Sequence, residues 1–202
     1  MIGTLDALPP SLRRRVEAEL QPGERVLWAG MPSPLSALLP SLFLFVFGIG
    51  WSSLTFTWEA VAVRALLGGA SSDKAPGMPG GMGVMFALFG IPFVLVGIAL
   101  LGAPFFVALQ AMMTAHVVTD RRLLTVTGGP WKQVESRDPG ALTFLRRRDH
   151  RNGRGTLRLG FGTTRDSDGD ARSVETSWAG VAEVRQAEEA VRELARSVGR
   201  KV

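Results

Sequence analysis

Leu42-Phe43-Leu44-Phe45-Val46-Phe47 lies at the centre of a run from Leu35 to Trp58 in which 24 consecutive residues carry no charge. A second uncharged run, 45 residues from Ala75 to Thr119, is densest between Val84 and Leu109. A helix rises about 1.5 Å per residue, so about 20 apolar residues cross a hydrocarbon core about 30 Å thick. Both runs meet that length. The competing reading is a buried helix of a soluble domain, but such a helix keeps a polar stripe, and neither run has a charge to turn toward water. The expectation is two transmembrane helices, residues 35–58 and 84–113, joined by a short external loop at 59–83. Pro92 and Pro104 predict a kink or a break in the second. Trp51 and Trp58 sit toward the far end of the first, where indole rings favour the interface. Gly48 with Ser52, and Ala99 with Ala103, are small pairs that permit close helix contact. Neither span so bounded contains an ionisable residue, which argues against a proton or ion carrier working alone.

Outward from the spans the composition changes. Residues 1–34 carry four basic and four acidic residues, 35–113 carry two of each, and 114–202 carry 17 and 12. The net charge of +5 therefore belongs to the last segment, and the mean hydropathy of +0.18 averages two apolar spans with a polar domain. Arg13, Arg14, Arg15 and Arg25 precede the first span, and Arg121 and Arg122 follow the second. Positive charge is retained on the cytoplasmic side, so both termini are expected there. The 34 polar and mixed residues ahead of the first span predict a retained anchor rather than a cleaved leader.

Residues 114–202 read as an α+β unit. His116 to Thr119 and Leu123 to Thr127 flank a polar turn as a hairpin, and Trp131 to Ser136 continues as a strand. Leu157, Leu159 and Phe161 alternate with Arg158 and Gly160, and Val174 and Thr176 lie on a last short strand. Val181, Val184, Val191, Leu194 and Val198 recur at helical spacing, predicting an amphipathic helix of about 17 residues with Ser177 as candidate N-cap and Gly199 as its stop. Ahead of the first span, Ser11 to Leu20 is a short helix candidate. Arg25 to Gly30 is a candidate strand placed to join the C-terminal sheet.

The candidate chemistry is thin. The absence of cysteine excludes disulfides, thiolate metal sites and a cysteine nucleophile. No phosphate loop or nucleophile elbow is present, so no catalytic residue and no cofactor are expected. Asp166-Ser167-Asp168-Gly169-Asp170 invites a calcium reading, but the sixth and twelfth positions of such a loop are Ala171 and Ser177, so a polar loop is the better reading and no metal is expected. His116 and His150 read as isolated surface or membrane-edge residues. Arg146-Arg147-Arg148, with Arg151 and Arg154 behind, is the most basic segment. Arg146, Arg148 and Arg151 either meet anionic headgroups or form a solvated, charge-protected edge. On a strand Arg146 and Arg148 share a face that Arg147 does not. The basic balance would also suit nucleic acid, but the spans do not, and no nucleic-acid partner is expected.

Two segments carry a resemblance. Leu20-Gln21-Pro22-Gly23-Glu24-Arg25-Val26-Leu27-Trp28-Ala29-Gly30-Met31-Pro32 resembles the entry segment of bacterial membrane proteins with a PH-like (pleckstrin-homology-like) domain. Val118-Thr119-Asp120-Arg121-Arg122-Leu123-Leu124 resembles the first hairpin of that domain, with Thr119, Asp120, Arg121 and Arg122 as its structural motif. Gly153 to Phe161 is similar to its glycine-led strand, and the segment from Trp178 onward to its C-terminal helix. The resemblance implies a bent antiparallel sheet capped by one helix and tied to a two-helix membrane hairpin in the bacterial inner membrane. It also implies a non-enzymatic module that binds a protein partner or a second copy of itself. The alternative is an accessory subunit of a membrane transport or envelope-stress complex, with anionic-lipid contact.

Overall fold

Two strands separated in sequence by both long apolar helices are hydrogen-bonded neighbours. β1 (Val26–Gly30) pairs antiparallel with β2 (Thr114–Thr119), Gly30 opposite His116 and Trp28 opposite Val118. The candidate strand before the first span therefore joins the sheet after the second. The computed structural model describes residues 5–68, 80–129, 132–150, 153–165 and 171–200. They form two units, Met1–Ala37 with Val107–Val202, and Leu38–Phe106.

In the first unit, β3 (Leu123–Thr127) and β4 (Gln133–Arg137) extend the sheet in the order β1-β2-β3-β4. A second, three-stranded sheet holds β5 (Leu142–Asp149), β6 (Gly155–Arg165) and β7 (Ala171–Val181). Hydrogen bonding thus divides the strands between two antiparallel sheets where one bent sheet was expected. Every residue of β2 is buried, because the four-stranded sheet is covered on both faces. On one face the short helix α1 (Pro10–Glu19) sets Leu12 and Val16 against Ala29, Val117, Leu124 and Val126. On the other, Trp28, Val118 and Leu123 share a core with Leu157, Leu159 and Trp178 of the second sheet. The C-terminal helix α4 (Val184–Ser197) closes that core with Ala187, Val191, Leu194 and Ala195.

The strand β7 runs to Val181, so Ser177, Trp178 and Val181 are strand residues and not the start of the helix. Glu183 occupies the N-cap position in a left-handed conformation, φ 50°, and α4 spans 14 residues. The preceding alternation, with Trp178 and Val181 fully buried, binds that segment to the sheet before helical periodicity begins. The far end stops as expected. Gly199 has φ +76°, its N–H donates to the carbonyl of Arg196, and that of Arg200 to the carbonyl of Ala195, a Schellman closure.

Both long helices start before their expected limits, and the first also ends beyond its own, whereas the second stops one residue short. α2 covers Pro34–Gly68 and α3 covers Gly80–Met112, each continuous through its internal prolines, so Pro92 and Pro104 break nothing. Both are long and apolar enough to cross a membrane, and Phe43, Leu54 and Phe105 stand 75%, 70% and 65% exposed. α2 buries Ser41, Gly48, Ser52, Thr55 and Ala62, with Gly48 against Leu100 and Ser52 against Gly97 of α3. On α3 the buried face is Gly90, Gly97 and Pro104 rather than Ala99 and Ala103. A Cβ on Gly97 would lie 2.6 Å from Ser52 Oγ, so the glycine permits the close approach. The longer α2 also contains Glu59, whose Oε2 is buried against Gly90 without a hydrogen-bond partner among the described residues. The span is therefore not free of ionisable groups once its helical limits are known.

Candidate functional site

The Thr119-Asp120-Arg121-Arg122 turn is clasped by the segment that precedes β1. Gln21 to Glu24 form a tight turn, with the Glu24 N–H donating to the Gln21 carbonyl at 2.9 Å. Pro22 suits its second position, and Gly23 supplies φ +77° at the third. That turn aims the fully buried Glu24 carboxylate at the β2–β3 hairpin. Arg122 grips it with two nitrogens, Nε to Oε1 at 3.0 Å and Nη2 to Oε2 at 3.1 Å. The Thr119 hydroxyl donates to Oε1 at 2.8 Å and accepts from the N–H groups of Arg121 and Arg122. The Gln21 N–H donates to Oε2 at 2.8 Å. Asp120 and Arg25 bond reciprocally: the Arg25 N–H donates to Oδ1 at 3.0 Å, and the Asp120 N–H to the Arg25 carbonyl at 2.9 Å. Burial by itself would raise the Glu24 pKa. The hydrogen bonds from Arg122, the Gln21 backbone and Thr119, with the Arg122 charge, outweigh it and hold the group at about 2. These residues satisfy one another, so the motif is a clasp that holds the fold.

Deeper in the core three rings stack. Trp178 lies 5.8 Å from Trp28 and 4.9 Å from His116, with interplanar angles of 13° and 16°. His116 is 6% exposed, and its Nδ1 lies 3.2 Å from Thr125 Oγ1. It is a core residue, not the surface or membrane-edge histidine that its isolation in sequence suggested. Burial drives its pKa down to about 3, so it is neutral at physiological pH. Among the described residues no group of three His, Cys, Asp or Glu is placed to hold a metal. The Asp166–Asp170 segment lies outside the described residues.

The basic segment is organised differently. Arg146 and Arg148 share the outer face of the three-stranded sheet, and Arg147 turns away to pair with Asp149 and with Glu188 of α4. Arg151 lies outside the described residues. Directly across from Arg146 in the register is Arg158 of β6, which in the sequence is the polar partner in the Leu157-Arg158-Leu159 alternation. That alternation, counted against the one carrying Arg146, held the signal; the strand pairing was needed to align them. Phe144 lies on the same face over Gly160, and the Arg146 guanidinium sits 5.5 Å from its ring. Arg146, Arg148 and Arg158 are exposed and hold no ion pair among the described residues. Like charges directly opposite one another destabilise a sheet, so an anionic partner stabilises this face. Three exposed guanidinium groups beside an aromatic ring give this face a local positive charge. No protein-family model, no curated protein and no solved structure matches this chain.

Proposed function

We propose that the protein is a membrane-anchored binding or assembly module, in which a two-helix transmembrane hairpin carries a cytoplasmic PH-like domain. The observation that carries this reading is the pairing of β1 with β2. The chain leaves the sheet at Gly30 and re-enters it at Thr114, on adjacent strands, so both feet of the hairpin arise from one folded unit. Two crossings from a shared base return the chain to the side it left. Arg13, Arg14, Arg15, Arg121 and Arg122 all belong to that unit, which by the retention of positive charge faces the cytoplasm.

The PH-like reading draws support from antiparallel sheets of four and three strands closed by one C-terminal helix. It draws more from the two resembling segments meeting in the Glu24 clasp, although 95 residues separate Glu24 from Thr119. A binding role rather than a chemical one is favoured because the polar groups that converge, Glu24, Thr119 and Arg122, engage each other. Arg146, Arg148 and Arg158, without an ion pair among the described residues, lie on an open sheet face.

Topology reporters at residue 70 and at the C-terminus test the arrangement. Residue 70 is expected to be reached from outside the cell and the C-terminus only from within; an external C-terminus overturns it. Photo-crosslinking from the outer sheet face in native membranes is expected to yield a discrete protein adduct. Its absence overturns the binding role.

A further inference from the structure

Glu189 and Glu193 on α4, and Arg146, Arg148 and Arg158 on the second sheet, are charges of opposite sign that hold no ion pair among the described residues. A groove of about 540 Å³ opens between β1 and α4, floored by Leu27, Trp28 and Ala190 and edged by Gln186, Glu189 and Glu193. β1 is the edge strand of its sheet and pairs only with β2 among the described residues. Neighbouring acids on α4 are committed: Glu188 is held by Arg147 and Arg192. Glu189 and Glu193 are exposed and without an ion pair among the described residues, and the Oε1 of Gln186 is buried with no donor. An acidic groove with an unmet acceptor on a chain of net charge +5 calls for a cationic occupant.

The same chain presents one. Arg146 and Arg148, two residues apart on β5, stand about 6.6 Å apart along the strand. Glu189 and Glu193, one helical turn apart, stand about 6 Å apart. The spacings allow two guanidinium–carboxylate pairs to form at once, with Arg158 relieved of its repulsion by Arg146 and Phe144 supplying apolar contact. An anionic lipid answers the basic face but leaves the acidic groove empty, whereas a second copy answers both.

We propose that copies of this chain associate head to tail, the acidic β1–α4 groove of one receiving the basic outer face of the β5–β6–β7 sheet of the next. This rests on the assembly-module reading above and names its partner and surfaces. Because the two surfaces differ, the contact is heterologous, and its repetition builds a ring or a filament.

The test uses the full-length protein in detergent, sized by light scattering. Wild type is expected to form species larger than dimers. E189Q/E193Q and R146Q/R148Q, all exposed positions, are each expected to weaken self-association at least tenfold while leaving the circular dichroism spectrum unchanged. Mixed one to one, the two variants retain one good groove and one good face between them, so dimers and nothing larger are expected. Variants that assemble like wild type overturn these surfaces while leaving the module reading intact. A monomeric wild type overturns the self-association. An R146Q/R148Q variant that assembles normally, but loses binding to vesicles containing phosphatidylglycerol, overturns it in favour of a lipid contact.

Discussion

Two arginine clusters in the same unit have opposite fates. Arg121-Arg122 sits at a strand turn, where Arg122 reaches the buried Glu24 carboxylate and the carbonyl of Glu19 at 2.8 Å. Arg146 and Arg148 stand on an open strand face, with Arg158 opposite Arg146 and no carboxylate between. Sequence alone presents both as basic runs beside apolar residues. Their difference lies in whether a carboxylate is delivered to them by another part of the chain. A charge met by a buried, hydrogen-bonded partner is part of the fold, and a charge left unmet on a shared face is free to bind.

The sharpest way to break this contrast is to remove the partner. Glu24→Ala leaves Arg122 and Thr119 without their acceptor, and about 3 kcal/mol of stability is expected to be lost. Arg146→Ala is expected to change stability by less than about 0.5 kcal/mol. Denaturation of both variants in the same detergent checks this, and equal losses would erase the distinction. Next, Thr119→Val removes one hydroxyl that donates once and accepts twice, at an expected cost of about 2 kcal/mol. Faster amide exchange at Arg121 and Arg122 should accompany it, and unchanged exchange would show that the hydroxyl does not hold the turn.

Acid sharpens the comparison further, because the buried groups titrate with unfolding. The Glu24 contribution is complete above 4.5 and is lost as pH falls from there toward about 2. His116, neutral when folded and protonated when unfolded, costs stability as pH falls from 6.5 toward about 3. Each gives a limiting slope of about 1.4 kcal/mol per pH unit within its window. His116→Phe should flatten the stability profile between pH 6 and 5 while the steeper fall below 4.5 remains. A profile unchanged by that substitution would place the titration elsewhere. The smallest effect is a gain: Arg158→Thr removes the cross-strand repulsion and should add up to about 0.5 kcal/mol. A loss of stability would mean that an anion or carboxylate already pairs with Arg158.

Much of the architecture was legible in the residues. The uncharged runs became the two long helices, Arg25 to Gly30 became β1, and Gly199 ended α4, each because a local rule acts within one segment. The start of α4 is not legible in the sequence because Val181 and Val184 fit a helical stripe and a strand-to-helix corner equally well. Burial of Trp178 and Val181 against the sheet decided between them. The burial of His116 is hidden from the sequence for the same reason. A polar side chain in a strand gives no sign that Trp178, 62 residues later, will stack upon it.

The sequence by itself determined that this chain holds two helices long and apolar enough to cross a membrane, and that its net positive charge lies in the segment after them. Those are properties of composition and length, which no packing can reverse. Only the tertiary structure decided that β1 pairs with β2 although both long helices separate them in sequence, that Glu24 answers Arg122, and that Arg158 stands opposite Arg146. Each of these depends on strand register, and register is set by burial on both faces of a sheet assembled from segments far apart in the chain.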